Sequence, residues 1–277
     1  MPKIVGVSKN DTGRERVYEA KLETGEIKSF PAYSTIKKII VSYGLIRWMK
    51  KSNANTLTQE EVYKLVAGSY QDGADAISTM LYNKIFCGTG EDYADEQRNI
   101  GSHIHWLIEQ FLSGREVPIQ EEPFKYAWEQ FLIWHRDHAI EVLPEGLELE
   151  LVSLNLRAGG TIDMVAKIDG QLEIVDWKTS SGIFNDYPVQ VAFYRALWNE
   201  NNPDQPINNA RIIRIPKKEW NVHKSGRSRN KLLELKLGET QLDFLLGLFT
   251  KARDWYEYMN ATTTFNKLTD FLESKGN

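Results

Sequence analysis

Two hydrophobic periodicities divide the chain into a helical part and a strand-rich part. From about residue 34 to residue 141, apolar residues recur every three to four positions, which predicts a series of amphipathic helices. From residue 146 to residue 178 they alternate with polar residues, which predicts β-strands. Residues 1–30 carry three short alternating runs, KIVGV, RVYEAKL and EIKSF, with a turn at Thr24–Gly25. The chain is therefore predicted to open with a small β-hairpin region.

Four helices are predicted in the helical part, which we assign to residues 31–140. The first begins near Ser34, and the second begins at TQEE (58–61), which resembles a capping box. A loop, CGTGEDY, precedes the third helix, which ends near Gly114 and whose apolar stripe consists of Ile104, Leu107, Ile108 and Phe111. The fourth helix is rich in aromatic residues and is predicted over 123–141.

The remaining residues, 141–277, are predicted to form the main α/β core. LELELV, GGTIDMVAKI and QLEIVDWK are three strands, and the last two form a hairpin because Asp169–Gly170 favours a tight turn. A helix at about 188–200, the strand ARIIRI, a basic loop and the strand KLLELKL follow. Two helices at about 239–258 and 263–273 close the chain. This order predicts an α/β (α+β) fold with the N-terminal helices packed over one side.

Charge, cysteine content and hydropathy restrict the class of protein. A net charge of −4 gives no global sign of nucleic-acid binding, so such binding has to rest on local charge. Cys87 is the only cysteine, which excludes an internal disulfide and a four-cysteine iron–sulfur or zinc site within this chain. No apolar run approaches the roughly 20 residues of a membrane span, and the N-terminus lacks the apolar stretch of a secretory signal. We therefore expect a cytoplasmic protein without membrane contact.

Acidic residues and a lysine converge on the predicted strands. Alternation along QLEIVDWK places Asp176 and Lys178 on one face. The hairpin makes this strand a neighbour of GGTIDMVAKI, so Asp163 and Asp176 are expected side by side. Glu148 and Glu150 share a face of the preceding strand. Crowded carboxylates are costly unless a cation neutralises them, and oxygen-rich clusters suit Mg²⁺ or Mn²⁺.

A lysine beside such a carboxylate cluster indicates a catalytic role. Its ammonium group can orient a water nucleophile or stabilise charge that grows on a phosphate, which is the chemistry of phosphodiester hydrolysis. The alternative is structural, because an isolated D-x-K sequence on a strand is more often a surface ion pair. The next helix adds Gln190 and Tyr194, which lie at i and i+4 on one helix face.

The run GGTIDMVAKIDGQLEIVDWKTS, followed by YPVQVAFYRALWNE, resembles the PD-(D/E)XK nuclease superfamily. Within it, the run is similar to RecB-like exonucleases, which include the mitochondrial genome maintenance exonuclease and related phage proteins. The resemblance implies a restriction-endonuclease-like core, with a central mixed β-sheet flanked by helices, and an N-terminal helical layer. It further implies that Asp163 and Asp176 are metal ligands, that the main-chain carbonyl of Trp177 binds the metal, and that Lys178 is catalytic.

The resemblance also implies roles for residues outside these two strands. GSHIH (101–105) resembles the helix sequence G-[ST]-x-x-H, whose histidine binds metal, so His105 joins the expected ligands. A further acid is expected on the strand before G-x-x-D, where the register favours Glu148 and leaves Glu150 as the alternative. It would bind a second ion or a water. Gln190 and Tyr194 are expected to contact DNA and support the active site.

The implied function is that of a Mg²⁺- or Mn²⁺-dependent DNA exonuclease. It would use one or two ions and act on single-stranded or end-containing DNA in recombination, repair or replication, in a cell or for a phage in its host's cytoplasm. Two alternatives stay open: a resolvase-like, structure-specific endonuclease and a catalytically silent DNA-binding protein of the same fold. Cys87 alone excludes the iron–sulfur cluster of some relatives, and no nucleotide-binding G-x-x-x-x-G-K-[ST] loop is present. Without a motor of its own, the chain is expected to rely on diffusion or on a helicase, recombinase or single-strand-binding protein.

Local charge singles out the segment 211–231 as a DNA contact. Eight lysines and arginines stand there against Glu219, with Trp220 and His223 interleaved. Such a stretch suits a strand–loop–strand arm that follows phosphates and stacks bases. The alternative is a solvated loop without a ligand. The residues expected to bind DNA are Lys217, Lys218, Trp220, Lys224, Arg227 and Arg229.

Overall fold

The structure, a computed structural model, describes residues 2–11, 16–37, 90–223 and 226–261. Its strands are β1 (Ile4–Asp11), β2 (Arg16–Leu22), β3 (Ile27–Pro31), β4 (Ile140–Ser153), β5 (Ala158–Ile168), β6 (Gln171–Lys178), β7 (Asn209–Arg214), β8 (Trp220–His223), β9 (Gly226–Arg229) and β10 (Leu233–Leu237). Its longer helices are α1 (Gly90–Leu112), α2 (Lys125–Arg136), α3 (Asp186–Asn201) and α4 (Glu239–Ala261).

The central sheet has five strands in the order β10–β7–β6–β5–β4. β5 and β6 are antiparallel and are joined by a turn in which Asp169 and Gly170 have φ values of 52° and 84°. An Asp-Gly pair favours this turn because glycine carries no Cβ and aspartate tolerates a left-handed backbone. β6 and β7 are parallel, so α3 crosses over between them. The predicted α/β class and the predicted hairpin are both confirmed.

One face of the sheet packs against α3 and α4. Ile162, Ile174 and Ile212 come from three different strands and form a buried core with Phe193 of α3. Tyr33, which begins a short helical segment at 33–37, stacks on the Phe193 ring with 5.4 Å between the ring centroids. The N-terminal part of the chain is therefore anchored to the same core as the sheet.

The opposite face of the sheet packs against α1 and α2. Because neighbouring side chains along a strand point to opposite faces, Val175 and Trp177 enter this second core while Ile174 enters the first. The Trp177 ring meets Phe131 and Trp134 of α2 edge to face, at centroid distances of 5.7 and 5.3 Å. The middle of β6 is thus buried on both sides, and its polar residues Glu173 and Asp176 lie in a low-dielectric environment.

A three-stranded antiparallel sheet, β1–β2–β3, packs beside the central sheet. Tyr18 of β2 lies against Gly159, where an added Cβ would come within 2.5 Å of the Tyr18 ring. Its hydroxyl forms a hydrogen bond with Thr161 Oγ1 at 2.8 Å. Glycine at position 159 therefore allows the N-terminal sheet to reach β5. The three predicted N-terminal strands are confirmed.

Two predicted helix boundaries are wrong. α1 begins at Gly90, so the last four residues of the predicted CGTGEDY loop are helical. α2 ends at Arg136, although the prediction extended this helix to residue 141. The reason is the contact between Ala139 and Asp169: Ala139 N donates to Asp169 Oδ1 at 3.0 Å, and Asp169 N donates to Ala139 O at 2.9 Å. This pairing draws the chain into β4.

The prediction of a basic loop between two strands is wrong in part, because the segment contains the antiparallel strands β8 and β9. The helices predicted between residues 38 and 86, and at 263–273, lie outside the described residues. Within the described part, none of the helices combines the length and the apolar character needed to cross a membrane.

Candidate active site

Asp163 lies where the pairing between β5 and β6 ends. The paired positions run from Ile168–Gln171 to Met164–Val175. Just beyond this paired stretch, the backbone N–H of Trp177 donates to Asp163 Oδ2 at 2.8 Å. A carboxylate thus takes the place of a backbone acceptor, and the two strands carry their acids together at this end of the hairpin.

Three potential metal ligands meet at this point. One ligand atom from each of His105, Glu148 and Asp163 lies within 4.8 Å of the other two, and His105 Nδ1 is 3.7 Å from Asp163 Oδ2. α1 brings His105 close because Gly101 passes near the end of β6: an added Cβ there would lie 2.6 Å from Thr179 Oγ1. The glycine of the G-[ST]-x-x-H sequence therefore has a steric role.

The two candidate glutamates of β4 are in different environments. Glu148 has a left-handed backbone conformation, with φ of 47°, and joins the group with Asp163. Glu150 instead forms an ion pair with Lys9 of β1, with Nζ 3.2 Å from Oε1. The geometry therefore favours Glu148 over Glu150 as the site acid.

Asp176 and Lys178 form an ion pair beside this group. Lys178 Nζ lies 2.6 Å from Asp176 Oδ2, and the Asp176 side chain is 0% exposed. Among the described residues, Asp176 Oδ1 has no hydrogen-bond partner. The expectation placed Asp176 with His105 and Asp163 around one ion, whereas the three-residue group contains Glu148 in its place.

The protonation of the site follows from burial and crowding. Burial raises the pKa of Asp163 and of Asp176, the latter to about 6, although Lys178 opposes both shifts. Glu148 is exposed at the rim, yet the protein around its carboxyl group desolvates it and Asp163 repels it, which raises its pKa to about 7. Desolvation, and then Lys178, lower the pKa of His105 to about 4, so its imidazole is neutral near pH 7.

Lys178 keeps its charge in this setting. Desolvation lowers the pKa of its ammonium group, but the carboxylates of Asp176 and Asp163 outweigh this effect and raise it overall. The site therefore holds one permanent cation among three acids.

These residues fit a divalent cation. A buried carboxylate oxygen without a partner, such as Asp176 Oδ1, is costly and would be relieved by a nearby cation. Two carboxylates and a neutral imidazole are suitable ligands for Mn²⁺, and the carboxylates also suit Mg²⁺. The carboxyl groups with raised pKa values would lose their protons when such an ion binds.

Helix α3 brings Gln190 and Tyr194 to the same region. Gln190 Nε2 donates to Tyr194 Oη at 2.6 Å. Desolvation, followed by the charges of Asp176 and Asp163, raises the pKa of Tyr194 well above its usual value. An added Cβ at Gly160 would lie 2.7 Å from the Tyr194 ring, so the glycine of G-x-x-D makes room for this tyrosine.

The basic segment divides into buried and exposed cations. Arg211 is buried and makes two hydrogen bonds with Glu173, at 2.8 and 2.9 Å. Arg214 is also buried, and it donates to Ser180 O and Asn230 Oδ1 at 2.7 and 2.6 Å. These two arginines stabilise the fold, so the local charge count overstated the cations open to DNA.

The structure places the other candidate DNA contacts in or beside the β8–β9 hairpin. Lys217 and Lys218 precede it, and Lys218 is exposed. Trp220 and Arg229 occupy paired positions, as do Val222 and Arg227, whereas Lys224 lies outside the described residues. Arg229 Nε is 3.5 Å from Glu219 Oε1.

Two residues near the site were missed by the motifs. Glu109 acts on Glu148 by repulsion, and its position four residues after His105 was a signal that both share a helix face. Tyr187 lies with its ring centre 4.9 Å from Lys178 Nζ. No spacing rule points to Tyr187, because the loop between β6 and α3 decides where it lies.

Comparison with known families connects this geometry to a family. The family model for the PD-(D/E)XK nuclease superfamily matches residues 120–264, just over half of the chain. The match includes Glu148, Asp163, Asp176 and Lys178 and begins after His105. No curated protein matches the chain closely enough to count as a relative. The five-stranded mixed sheet flanked by helices agrees with a restriction-endonuclease-like fold.

Proposed function

Because the chain belongs to the PD-(D/E)XK nuclease superfamily, we propose that it is a metal-dependent DNA exonuclease of the RecB-like type. It hydrolyses phosphodiester bonds from single-stranded ends. The observation that carries the proposal is the convergence of His105, Glu148 and Asp163 within 4.8 Å, next to the Asp176–Lys178 ion pair. Two acids, a neutral imidazole and an ammonium group are the components that metal-assisted hydrolysis requires.

Each residue has a distinct task in this proposal. His105, Glu148 and Asp163 bind a Mg²⁺ or Mn²⁺ ion, which when bound polarises the phosphate and lowers the pKa of a water. Asp176 offers its unpaired Oδ1 to the same ion or to a second one, together with the Trp177 carbonyl. Lys178 holds the hydrolytic water or the phosphate through its ammonium group.

The surrounding elements support an enzyme that acts on ends. α1 closes one side of the metal group, since Gly101 brings the helix against Thr179. A helix at this position narrows the entrance, which favours a single strand or a free end over an intact duplex. Gln190 and Tyr194 stand beside the acids. The exposed Lys218, just before the β8–β9 hairpin, and Arg229, within it, supply cations for phosphates.

The proposal extends to the setting of the reaction. The exonuclease acts in DNA recombination, repair or replication together with a helicase, recombinase or single-strand-binding protein. The enzyme works in the cytoplasm, which for a phage-encoded protein is that of the host. Its substrate is DNA in the first instance, as superfamily membership suggests.

Cleavage time courses test the activity. Single- and double-stranded oligonucleotides labelled at the 5′ or the 3′ end are incubated with Mg²⁺, Mn²⁺ or EDTA. The proposal predicts short products released progressively from one end of single strands, and no cleavage in EDTA. If neither the wild type nor Lys178→Ala shows metal-dependent cleavage, the proposal is contradicted and a catalytically silent DNA-binding protein is supported instead.

Closed circular single-stranded DNA distinguishes the two kinds of nuclease. An enzyme that needs an end leaves the circle intact and degrades the same DNA once it has been linearised. Rapid cutting of the circle would instead identify a structure-specific endonuclease, such as a junction resolvase, built on the same core.

A further inference from the structure

An aromatic pair borders the candidate site without belonging to it. Phe184 lies in the loop between β6 and α3, and its side chain is 48% exposed. Tyr187, in the first turn of α3, contacts it edge to face, with the ring centroids 5.5 Å apart and the planes at 68°. An exposed phenylalanine is ordinary by itself, so its neighbours decide its meaning.

Tyr187 connects Phe184 with the proposed catalytic lysine. Lys178 Nζ lies 4.9 Å from the centre of the Tyr187 ring, a cation–π contact. The Tyr187 hydroxyl forms a hydrogen bond with Ser180, and its ring packs against the first core. Phe184 therefore packs against Tyr187, whose position is fixed by contacts with Lys178, Ser180 and the first core.

A second lysine lies near the same ring. Lys37 Nζ is 5.6 Å from the Tyr187 ring centre and 2.6 Å from Asp186 Oδ2. Tyr33 further anchors this region, because its hydroxyl donates to Asp186 O at 2.9 Å. Two ammonium groups therefore lie near the half-buried Tyr187 ring, and the exposed Phe184 ring contacts this tyrosine. Cations that attract phosphates and an exposed ring that stacks bases form the combination that binds single-stranded nucleic acid.

The distances around Tyr187 allow one nucleotide to use both the phosphate contact and the base contact. A phosphate placed at Lys178 has its base within reach of Phe184, since the Tyr187 ring centre lies 4.9 Å from Lys178 Nζ and 5.5 Å from the Phe184 ring centre. We propose that Phe184 stacks a nucleobase next to the scissile phosphate and that Tyr187 braces it. The inference rests on the proposed function of this site and adds the position at which the base is held.

The proposal has a consequence for substrate choice. Every base offers a π-face, so stacking on Phe184 is tolerant of sequence. In a duplex the bases are already stacked on one another, and Phe184 gains a base only after unpairing. The contact therefore favours single-stranded ends.

The test compares three variants with the wild type. Phe184→Ala removes the ring, and Phe184→Trp restores a larger one. Phe244→Ala is the matched control, because it removes a phenylalanine that is 69% exposed on α4. The probes are single-stranded oligonucleotides that carry 2-aminopurine or an abasic residue at successive positions from the end. Binding is measured by fluorescence anisotropy in EDTA, and cleavage is measured with Mn²⁺.

A stacked base contributes about 1–3 kcal/mol, so Phe184→Ala is expected to weaken binding and kcat/KM on the order of 5- to 100-fold. Phe184→Trp and Phe244→Ala should stay within about twofold of the wild type by the same reasoning. An abasic residue at one particular position should abolish the difference between wild type and Phe184→Ala. At that position, 2-aminopurine should be quenched by the wild type and not by Phe184→Ala.

The inference and the proposed function fail in different ways. Normal cleavage with no penalty for Phe184→Ala, or an equal penalty at every abasic position, overturns the stacking role alone. Binding that depends on Phe184 without any metal-dependent cleavage supports the stacking role and overturns the proposed function. Failure of the wild type both to bind the oligonucleotides in EDTA and to cleave them with Mn²⁺ overturns both.

Discussion

Replacing Asp163 with asparagine separates its structural role from its proposed role as a metal ligand. The new Oδ1 can still accept the Trp177 N–H bond that Asp163 Oδ2 accepts at 2.8 Å. The fold is therefore expected to survive, with a change in unfolding free energy of no more than about 1 kcal/mol. The negative charge next to His105 and Glu148 is lost, and with it the strongest reason for a cation to bind there.

The size of the effect on catalysis follows from the charge removed. A divalent ion contributes several kcal/mol of transition-state stabilisation, and a loss of about 4 kcal/mol lowers the rate roughly 10³-fold. We expect Asp163→Asn to cleave single-stranded DNA about 10³-fold more slowly than the wild type. Mn²⁺ binding, measured by isothermal titration calorimetry, should weaken on the order of 100-fold or more.

Thermal unfolding tests whether the charge of Asp163 stabilises or destabilises the folded protein. Burial raises the pKa of Asp163, so its ionised form is disfavoured in the folded state relative to the unfolded chain. In EDTA at about pH 8, the variant should therefore be at least as stable as the wild type, and any advantage should vanish at low pH, where the carboxyl group is protonated in both states. Mn²⁺ at a concentration that saturates the wild type should raise the unfolding temperature of the wild type more than that of the variant.

The matched control is Asp169→Asn, the same substitution at the turn of the same hairpin. Asp169 Oδ1 accepts Ala139 N at 3.0 Å, a bond that asparagine preserves, and asparagine tolerates the φ of 52° at this position. Wild-type cleavage is expected. If Asp163→Asn also cleaved at the wild-type rate, or unfolded several kcal/mol more easily in EDTA, the assignment of Asp163 as a ligand would be refuted.

Three further changes probe the site. Lys178→Met leaves the fully buried Asp176 carboxylate without its countercharge, so we expect the free energy of unfolding in urea at about pH 8 to fall by about 3 kcal/mol. Adding Asp176→Asn should restore part of this loss, and an unchanged unfolding midpoint for Lys178→Met would contradict the burial of the pair. The pKa values of Glu148 and Asp176 are raised to about 7 and about 6, so protons compete with the metal for these carboxylates. The affinity for Mn²⁺ should therefore fall as the pH drops from 8 to 5. A constant affinity, measured by calorimetry, would contradict the assignment of both acids as ligands. Gly160→Ala places a methyl group 2.7 Å from the Tyr194 ring, so the free energy of unfolding, measured by chemical denaturation, should fall by about 1–3 kcal/mol. Wild-type stability in this variant would mean that the ring is free to move.

The hairpin that carries the acids was predictable because its determinants are local. The alternation of GGTIDMVAKI and QLEIVDWK, with Asp169–Gly170 between them, encodes both the turn and the register. The observed strands, Ala158–Ile168 and Gln171–Lys178, differ from the prediction by one residue at one end. The position of His105 is also local in origin, because it directly follows Ile104 of the apolar stripe of α1 and is half-buried.

The choice between the two glutamates could not be made from alternation. Glu148 and Glu150 are two residues apart, so a regular strand treats them alike. β4 is irregular: its register with β5 shifts between Val142 and Leu147, and Glu148 itself has a positive φ. The decisive partner of Glu150, Lys9, is distant in sequence.

The basic segment shows why a charge count is a weak guide to a binding surface. Arg211 and Arg214 look like their neighbours in the sequence, yet both are buried. Their partners, including Glu173 and Asn230, come from other parts of the chain and meet them only in the fold. Phe184 illustrates the converse, since its contact with Tyr187 near the site depends on the loop conformation.

The most direct test of the metal site is electron spin echo envelope modulation of Mn²⁺ bound to the protein. A ¹⁴N signal from one coordinated imidazole is predicted for the wild type. His105→Gln should bind Mn²⁺ more weakly and lose that signal, while His103→Gln, two residues away on the same helix, should keep it. Bound Mn²⁺ without nitrogen coupling in the wild type, or a nitrogen signal that persists in His105→Gln, would contradict the convergence of His105, Glu148 and Asp163 on one ion.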